Sequence, residues 1–239
     1  MMPRLALMGL VLAAAAPPYL PSNLAHVAQA GQVIVVTSPS WDSPRGTLRA
    51  YERVGSGWRR VVSATPADLG WSGMAGASAR RQDTGKTPAG TFAIPSAFGR
   101  LPDPGSDLPY RQIDHDDAWP YSPAHPYTYN VLQTAPYRWT SYGDNVEVLW
   151  RHGRQYRYAA VLDFNLPAAV HTAPSGIRYA ETPVDTSRGG GIFLHVTDGT
   201  ATAGCIAVPE ATMRRLLAWL DPARHPVLVS GPIAAIGRM

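Results

Sequence analysis

The chain has 239 residues, 16% of them charged and 45% apolar, with a formal charge of +4 at neutral pH. That length supports one domain with a sizeable core. The small cationic surplus is scattered rather than gathered into Lys/Arg runs, so nucleic acid is not expected as a partner, and a single cysteine excludes an internal disulfide framework.

Taken in chain order, residues 1–30 read as a secretory signal peptide. Arg4 supplies the positive charge, Leu5 to Ala16 the apolar run, and Ala28-Gln29-Ala30 a small-residue cleavage site. The run is too short to span a bilayer and lacks a charged stop-transfer flank, so no stable membrane insertion is expected after cleavage. The mature chain, residues 31–239, is then secreted, periplasmic or associated with the cell wall.

Val33–Thr37, Thr47–Val54 and Trp58–Ser63 have the apolar runs and alternation of strands, with Gly55-Ser56-Gly57 as a hairpin turn. Asp68 to Arg81 is rich in Gly, Ser and Ala. Thr87-Pro88 predicts a tight turn leading into a strand over Thr91–Ile94. Gly85-Lys86-Thr87 lacks the upstream glycine spacing of a phosphate loop and runs into Pro88, which blocks a helix, so nucleotide binding is rejected.

From Phe98 to Tyr129 the pattern is irregular. Asp114-His115-Asp116-Asp117 lacks the alternating ligands and glycine of a calcium loop and reads as a solvated or substrate-facing loop. Trp119, Tyr121, Tyr127 and Tyr129 either line a groove or cap the core. Strands are expected again over Asn145–Trp150 and Tyr156–Phe164, with Gly153 in the turn between them, and Leu166–Ser187 reads as loop.

Ile192–Val196 is a short buried strand with His195 near its end. A loop of about nine residues leads to Gly204 and a returning strand, Cys205–Val208. Pro209–Leu220 is the one convincing helix, with Met213, Leu216, Leu217 and Leu220 on one face. Pro222 and Pro226 end it, and Val227–Val229 is a last strand. Many short strands, much Gly and Pro and one late amphipathic helix after the Cys motif predict a mainly β domain, sandwich or barrel-like.

A lone cysteine in an exported chain is a paired, bystander or reactive thiol. His195, ten positions before Cys205, favours the reactive reading, since an imidazole within hydrogen-bond reach takes the thiol proton. Gly204 leaves the backbone free to adopt φ > 0 beside it.

Together these residues resemble the L,D-transpeptidases of the YkuD type. The resemblance rests on Gly85-Lys86-Thr87-Pro88-Ala89-Gly90-Thr91-Phe92, on His195, and on Thr202-Ala203-Gly204-Cys205-Ile206 followed by a helix. It implies a YkuD-like β-sandwich and an exported cysteine acyltransferase acting on peptidoglycan stem peptides. Cys205 would be the nucleophile, His195 the base, and the backbone near Gly204 and Cys205 the oxyanion site. Thr202 and Ala203 would bind substrate, and an amine of a neighbouring stem would resolve the thioester. From its place after a buried strand, Asn165 is a further candidate substrate-binding residue, and with Asp163 a candidate orienting group. No metal or organic cofactor is implied. Relative to that family, Ala203 stands where His or Arg is common and Ala207 where Asn or Arg is common.

Alternatives remain on the sequence. One is an L,D-carboxypeptidase-type hydrolase on the same site, and another is a non-catalytic wall-binding domain. A third is a sortase-like enzyme using His152 and Arg214. Self-association is not legible.

Overall fold

A computed structural model describes residues 17–136 and 139–239. Arg4 and the apolar run Leu5–Ala16 of the expected signal peptide lie outside the described residues. The strands are β1 (Gln32–Ser38), β2 (Arg45–Val54), β3 (Gly57–Asp68), β4 (Met74–Gly76), β5 (Thr87–Ala93), β6 (Ser96–Gly99), β7 (Tyr110–Gln112), β8 (Ala118–Pro120), β9 (Val146–Val148), β10 (Ala159–Val161), β11 (Val170–Thr172), β12 (Arg178–Ala180), β13 (Phe193–Val196) and β14 (Ile206–Val208). Helix α1 (Glu210–Leu217) and strand β15 (Val227–Pro232) follow.

Eleven strands form one sheet in the order β4-β5-β15-β1-β2-β3-β14-β13-β10-β6-β7. β1 sits inside it, parallel to β15 and antiparallel to β2. All seven of its residues are buried, which is why Val33–Val36 is continuously apolar rather than alternating. Ile34 and Val36 face the main core, which gathers residues from both halves of the sheet and wraps it into a sandwich. Met213, Leu216 and Leu217 of α1 seal that core and are completely buried. Each stabilises the fold by roughly 1.5–3 kcal/mol.

Val33 and Val35 face the opposite side, where residues 17–30 lie across the sheet. Pro21, Leu24, Val27 and Ala30 are buried at every third position, and the last three pack with Tyr51, Val229 and Ile236. The Arg53 guanidinium donates to the carbonyls of Val27, Ala28 and Ala30. Among the described residues no helix is long and apolar enough to cross a membrane.

Several elements differ from the pattern-based expectation. Thr87-Pro88 is not a turn: β5 already begins at Thr87, with Pro88 opposite Ala75 of the three-residue β4. The strand expected over Asn145–Trp150 shrinks to β9 and gives way to a 3-10 turn over Leu149–His152. Tyr156–Phe164 is a strand only at Ala159–Val161, because Gln155–Arg157 coils into another 3-10 turn. The 166–187 segment carries a small hairpin, β11 with β12. Asp117 of the acidic cluster is fully buried and holds Arg111 through two hydrogen bonds, a structural ion pair.

Candidate active site

β13 and β14 lie side by side and carry the centre of the site. They run parallel, with His195 opposite Ala207, rather than forming the returning pair expected. A nine-residue connection is short for a parallel pair, and the neighbouring chain holds it. Thr202 bridges to Gly70, its N–H donating to Leu69 and its carbonyl accepting from Trp71. At the other end, Thr197 donates from its hydroxyl to Asp68 and from its N–H to Val208.

Side chains alternate along β13. Leu194 and Val196 enter the main core while Phe193 packs in the second layer, against Phe98, Trp119 and Tyr156. His195 and Cys205 belong to this second face, and both line an open cleft of about 590 Å³. Tyr156 meets the His195 ring edge-on, with centroids 5.4 Å apart.

The turn before β14 is built from three directions. Thr202 Oγ1 donates to the Cys205 carbonyl at 2.6 Å and accepts from Gly204 N–H at 3.1 Å. Thr87 Oγ1 donates to the same Cys205 carbonyl and accepts from Gly70 N–H. Gly204 has φ +144°, and a side chain there would begin 3.0 Å from the Lys86 carbonyl, so only glycine fits. The Gly-Lys-Thr-Pro block is therefore the buttress of the cysteine turn.

The thiol accepts from Phe193 N–H and donates to the Gly191 carbonyl, both at 3.3 Å. No hydrogen bond joins it to the imidazole, a correction to the contact expected from the sequence. The parallel register sets Cys205 beside Phe193, one pleat along from His195. His195 is 4% exposed. Its Nδ1 lies 2.9 Å from the Val196 carbonyl. A carbonyl only accepts, so Nδ1 carries the proton and Nε2 keeps its lone pair.

Burial lowers the His195 pKa to about 4, against the Val196 carbonyl and the Asp198 charge, which both raise it. Burial pushes the Cys205 thiol up to about 12. The Glu147 charge adds to that shift, while Phe193 N–H and Arg80 oppose it. At neutral pH the pair rests as thiol and neutral imidazole, and not as an ion pair.

Asn165 does not line the cleft. Its side-chain amide donates to the Asp185 and Gly189 carbonyls, and its own carbonyl accepts from Asn130. It is a scaffold residue in place of the substrate contact expected. The hydroxyl of Thr202 is likewise occupied within the turn, whereas Ala203 is exposed at the cleft wall. Asn130, which the sequence did not single out, is the hub: its Oδ1 accepts from Gly191 N–H and Trp119 Nε1, each at 2.7 Å.

Two further cleft residues were missed. Arg80 is 5% exposed, reaches the Lys86 and Arg188 carbonyls, and brings Nη2 3.1 Å from the Cβ position of Gly204. It places a cation at the turn although Ala203 and Ala207 carry none. Glu147 accepts from the Tyr156 hydroxyl and lies 3.4 Å from His152 Nε2. Burial raises its pKa, against His152 and Tyr156. The aromatic residues divide: Tyr121 and Tyr129 line the cleft, Trp119 packs beneath it, and Tyr127 is exposed. Arg214 is exposed on α1 and does not line the cleft, which removes the sortase-like arrangement.

The layered β fold, with a cysteine turn buttressed from the upstream block, belongs to a recognised class of cell-wall enzyme. Residues 41–229 match the family model of the YkuD L,D-transpeptidase catalytic domain, and the chain belongs to that family. The family acts on peptidoglycan peptides, which fits an extracellular or periplasmic location. No curated protein and no solved structure matches.

Proposed function

We propose that the chain is exported by its N-terminal segment and acts as a transpeptidase on peptidoglycan stem peptides through a thioester on Cys205. The observation that carries this reading is the cleft floor. There, a thiol and an imidazole with a free Nε2 lie on one face of adjoining strands.

In this reading, rotation about the Cys205 χ1 moves the S–H from the Gly191 carbonyl to Nε2 of His195. Sulfur attacks the carbonyl carbon of an L,D peptide bond as the proton passes to Nε2. Gly204 N–H is already engaged by Thr202, so Cys205 N–H faces the oxyanion, with the Arg80 guanidinium beside the turn supporting the negative charge. Collapse breaks the C–N bond, and the imidazolium returns its proton to the departing D-alanine amine. Ala203, small and exposed, leaves the wall open to the stem peptide, while Asn165 and Thr202 position the turn.

The test is incubation with a purified disaccharide tetrapeptide. D-alanine release and a cross-linked dimer are expected, and both should vanish in Cys205→Ala. Release with only a trimmed tripeptide would make the chain a hydrolase. No release would leave a wall-binding domain.

A further inference from the structure

The cleft holds a carboxylate that the acylation half of the reaction does not use. Glu147 rises from β9 on the wall facing the cysteine turn. Its Oε1 is committed to the Tyr156 hydroxyl and to His152, whose Nε2 lies 3.4 Å away. Its Oε2 points elsewhere, 3.6 Å from where a side chain on Gly191 would begin. The Gly191 carbonyl in turn holds the Cys205 thiol at 3.3 Å. The Glu147 charge also reaches the nucleophile, where it adds to the rise of the Cys205 thiol pKa.

The nearby cations are turned away from it. Arg80 is tied to the Lys86 and Arg188 carbonyls, and the Arg151 guanidinium lies over the Trp139 ring at 5.0 Å. Among the described residues, the ion-pair partner of Glu147 is His152 alone. Tyr121 also feels its charge. A part-buried carboxylate with one oxygen that has no hydrogen-bond partner among the described residues, in a cleft lined by Tyr121, Tyr156 and His152, is a receptor for a primary ammonium group.

We infer that Glu147 is the docking group for the acyl acceptor, taking a primary ammonium at Oε2 and receiving its first proton. This rests on the transferase reading above. The balance is complete without a further reagent. The ammonium gives one proton to the Glu147 carboxylate and becomes a free amine. The amine nitrogen attacks the thioester carbonyl carbon, so a C–N bond forms and the C–S bond breaks. The second nitrogen proton passes to Nε2 of His195 and from there to the departing sulfur. The products are an amide, the Cys205 thiol and a protonated Glu147, which releases its proton to water. Positive charge on the acceptor is therefore a requirement at this wall, and a neutral nucleophile gains nothing from it.

The experiment compares two acceptors on the acyl-enzyme formed from the tetrapeptide: an alkyl primary amine, cationic at pH 7, and hydroxylamine, neutral at that pH. In Glu147→Gln the concentration of alkylamine giving half-maximal transfer should rise about tenfold or more, the scale of one charge-assisted hydrogen bond. The hydroxylamine reaction should shift less than about threefold. Glu147→Asp should recover part of the alkylamine preference. Equal losses with both acceptors would assign Glu147 a structural role and overturn the inference, as would a wild-type enzyme indifferent to acceptor charge, a result that needs no variant to fold. Failure of wild-type Cys205 to form any acyl-enzyme would instead refute the transferase reading itself.

Discussion

Raising the pH from 6 to 10 with iodoacetamide as probe, in the absence of substrate, separates a neutral thiol from a thiolate–imidazolium pair at Cys205. The thiol pKa is pushed up to about 12, against about 8.5 for a free cysteine. At pH 7 the thiolate fraction is then roughly one in 10⁵, compared with roughly 3% for the free residue. Labelling should be about a thousandfold slower than that of a free thiol and should climb about tenfold per pH unit across the range. Acylation by a carbapenem should behave differently. With a pKa of about 4, His195 is neutral throughout and takes the proton within the step, so that rate should stay level between pH 6 and 9. His195→Ala should slow carbapenem acylation by about 10²- to 10⁴-fold while leaving the slope of alkylation unchanged. Adduct formation followed by mass spectrometry reads both rates. Fast labelling at pH 7 with a plateau between pH 6 and 8 would refute the neutral-pair description, and unchanged acylation in His195→Ala would remove His195 from the mechanism.

Asn130→Ala leaves the Gly191 N–H, the Trp119 indole N–H and the carbonyls of Phe164 and Asn165 without their partner. We expect a loss of about 4 kcal/mol in denaturant unfolding, and a loss under about 1 kcal/mol would contradict its role as hub. Gly204→Ala forces a side chain into φ +144° beside the Lys86 carbonyl. It should cost about 1–3 kcal/mol and lower D-alanine release more than stability alone accounts for. His195 also links stability to acidity. Its pKa falls from 6.5 unfolded to about 4 folded, so the unfolded chain takes the proton first. The contribution is full above pH 6.5, and about 3 kcal/mol is lost as pH falls through 4. That loss should be absent in His195→Gln when melts are compared across the same window.

The local half of the site was legible because its signals are local. An apolar run ending at His195, a glycine before the only cysteine and a helix with Met213, Leu216 and Leu217 on one face each announce themselves within a few residues. The cross-strand half was not. Glu147 sits in Val146-Glu147-Val148-Leu149, which reads as an alternating strand, and only the close of β8 against β9 aims it at Gly191. Arg80 lies in a stretch of small residues whose destination depends on β4 pairing parallel with β5. The same parallel pairing placed Thr87-Pro88 in a strand, against its turn-like sequence. The thiol–imidazole contact failed for a related reason. Spacing along the chain places two residues near one another, but strand direction decides which atoms meet.

One guanidinium, that of Arg53, holds three carbonyls around the bond after Ala30, where the sequence pattern places the expected leader cut. A peptidase acting there would need residues 27–30 extended in its own groove, in competition with their docking on the Arg53 side chain of β2. If the cut comes first, the domain matures without the buried Leu24 and Val27 and exposes an apolar seam over Val33, Val35 and Tyr51. If folding comes first, the collar is kept and the bond is shielded. Under the export reading proposed above, the order of the two events would set which form of the protein reaches the wall, and the N-terminal residue of the mature chain would record which came first.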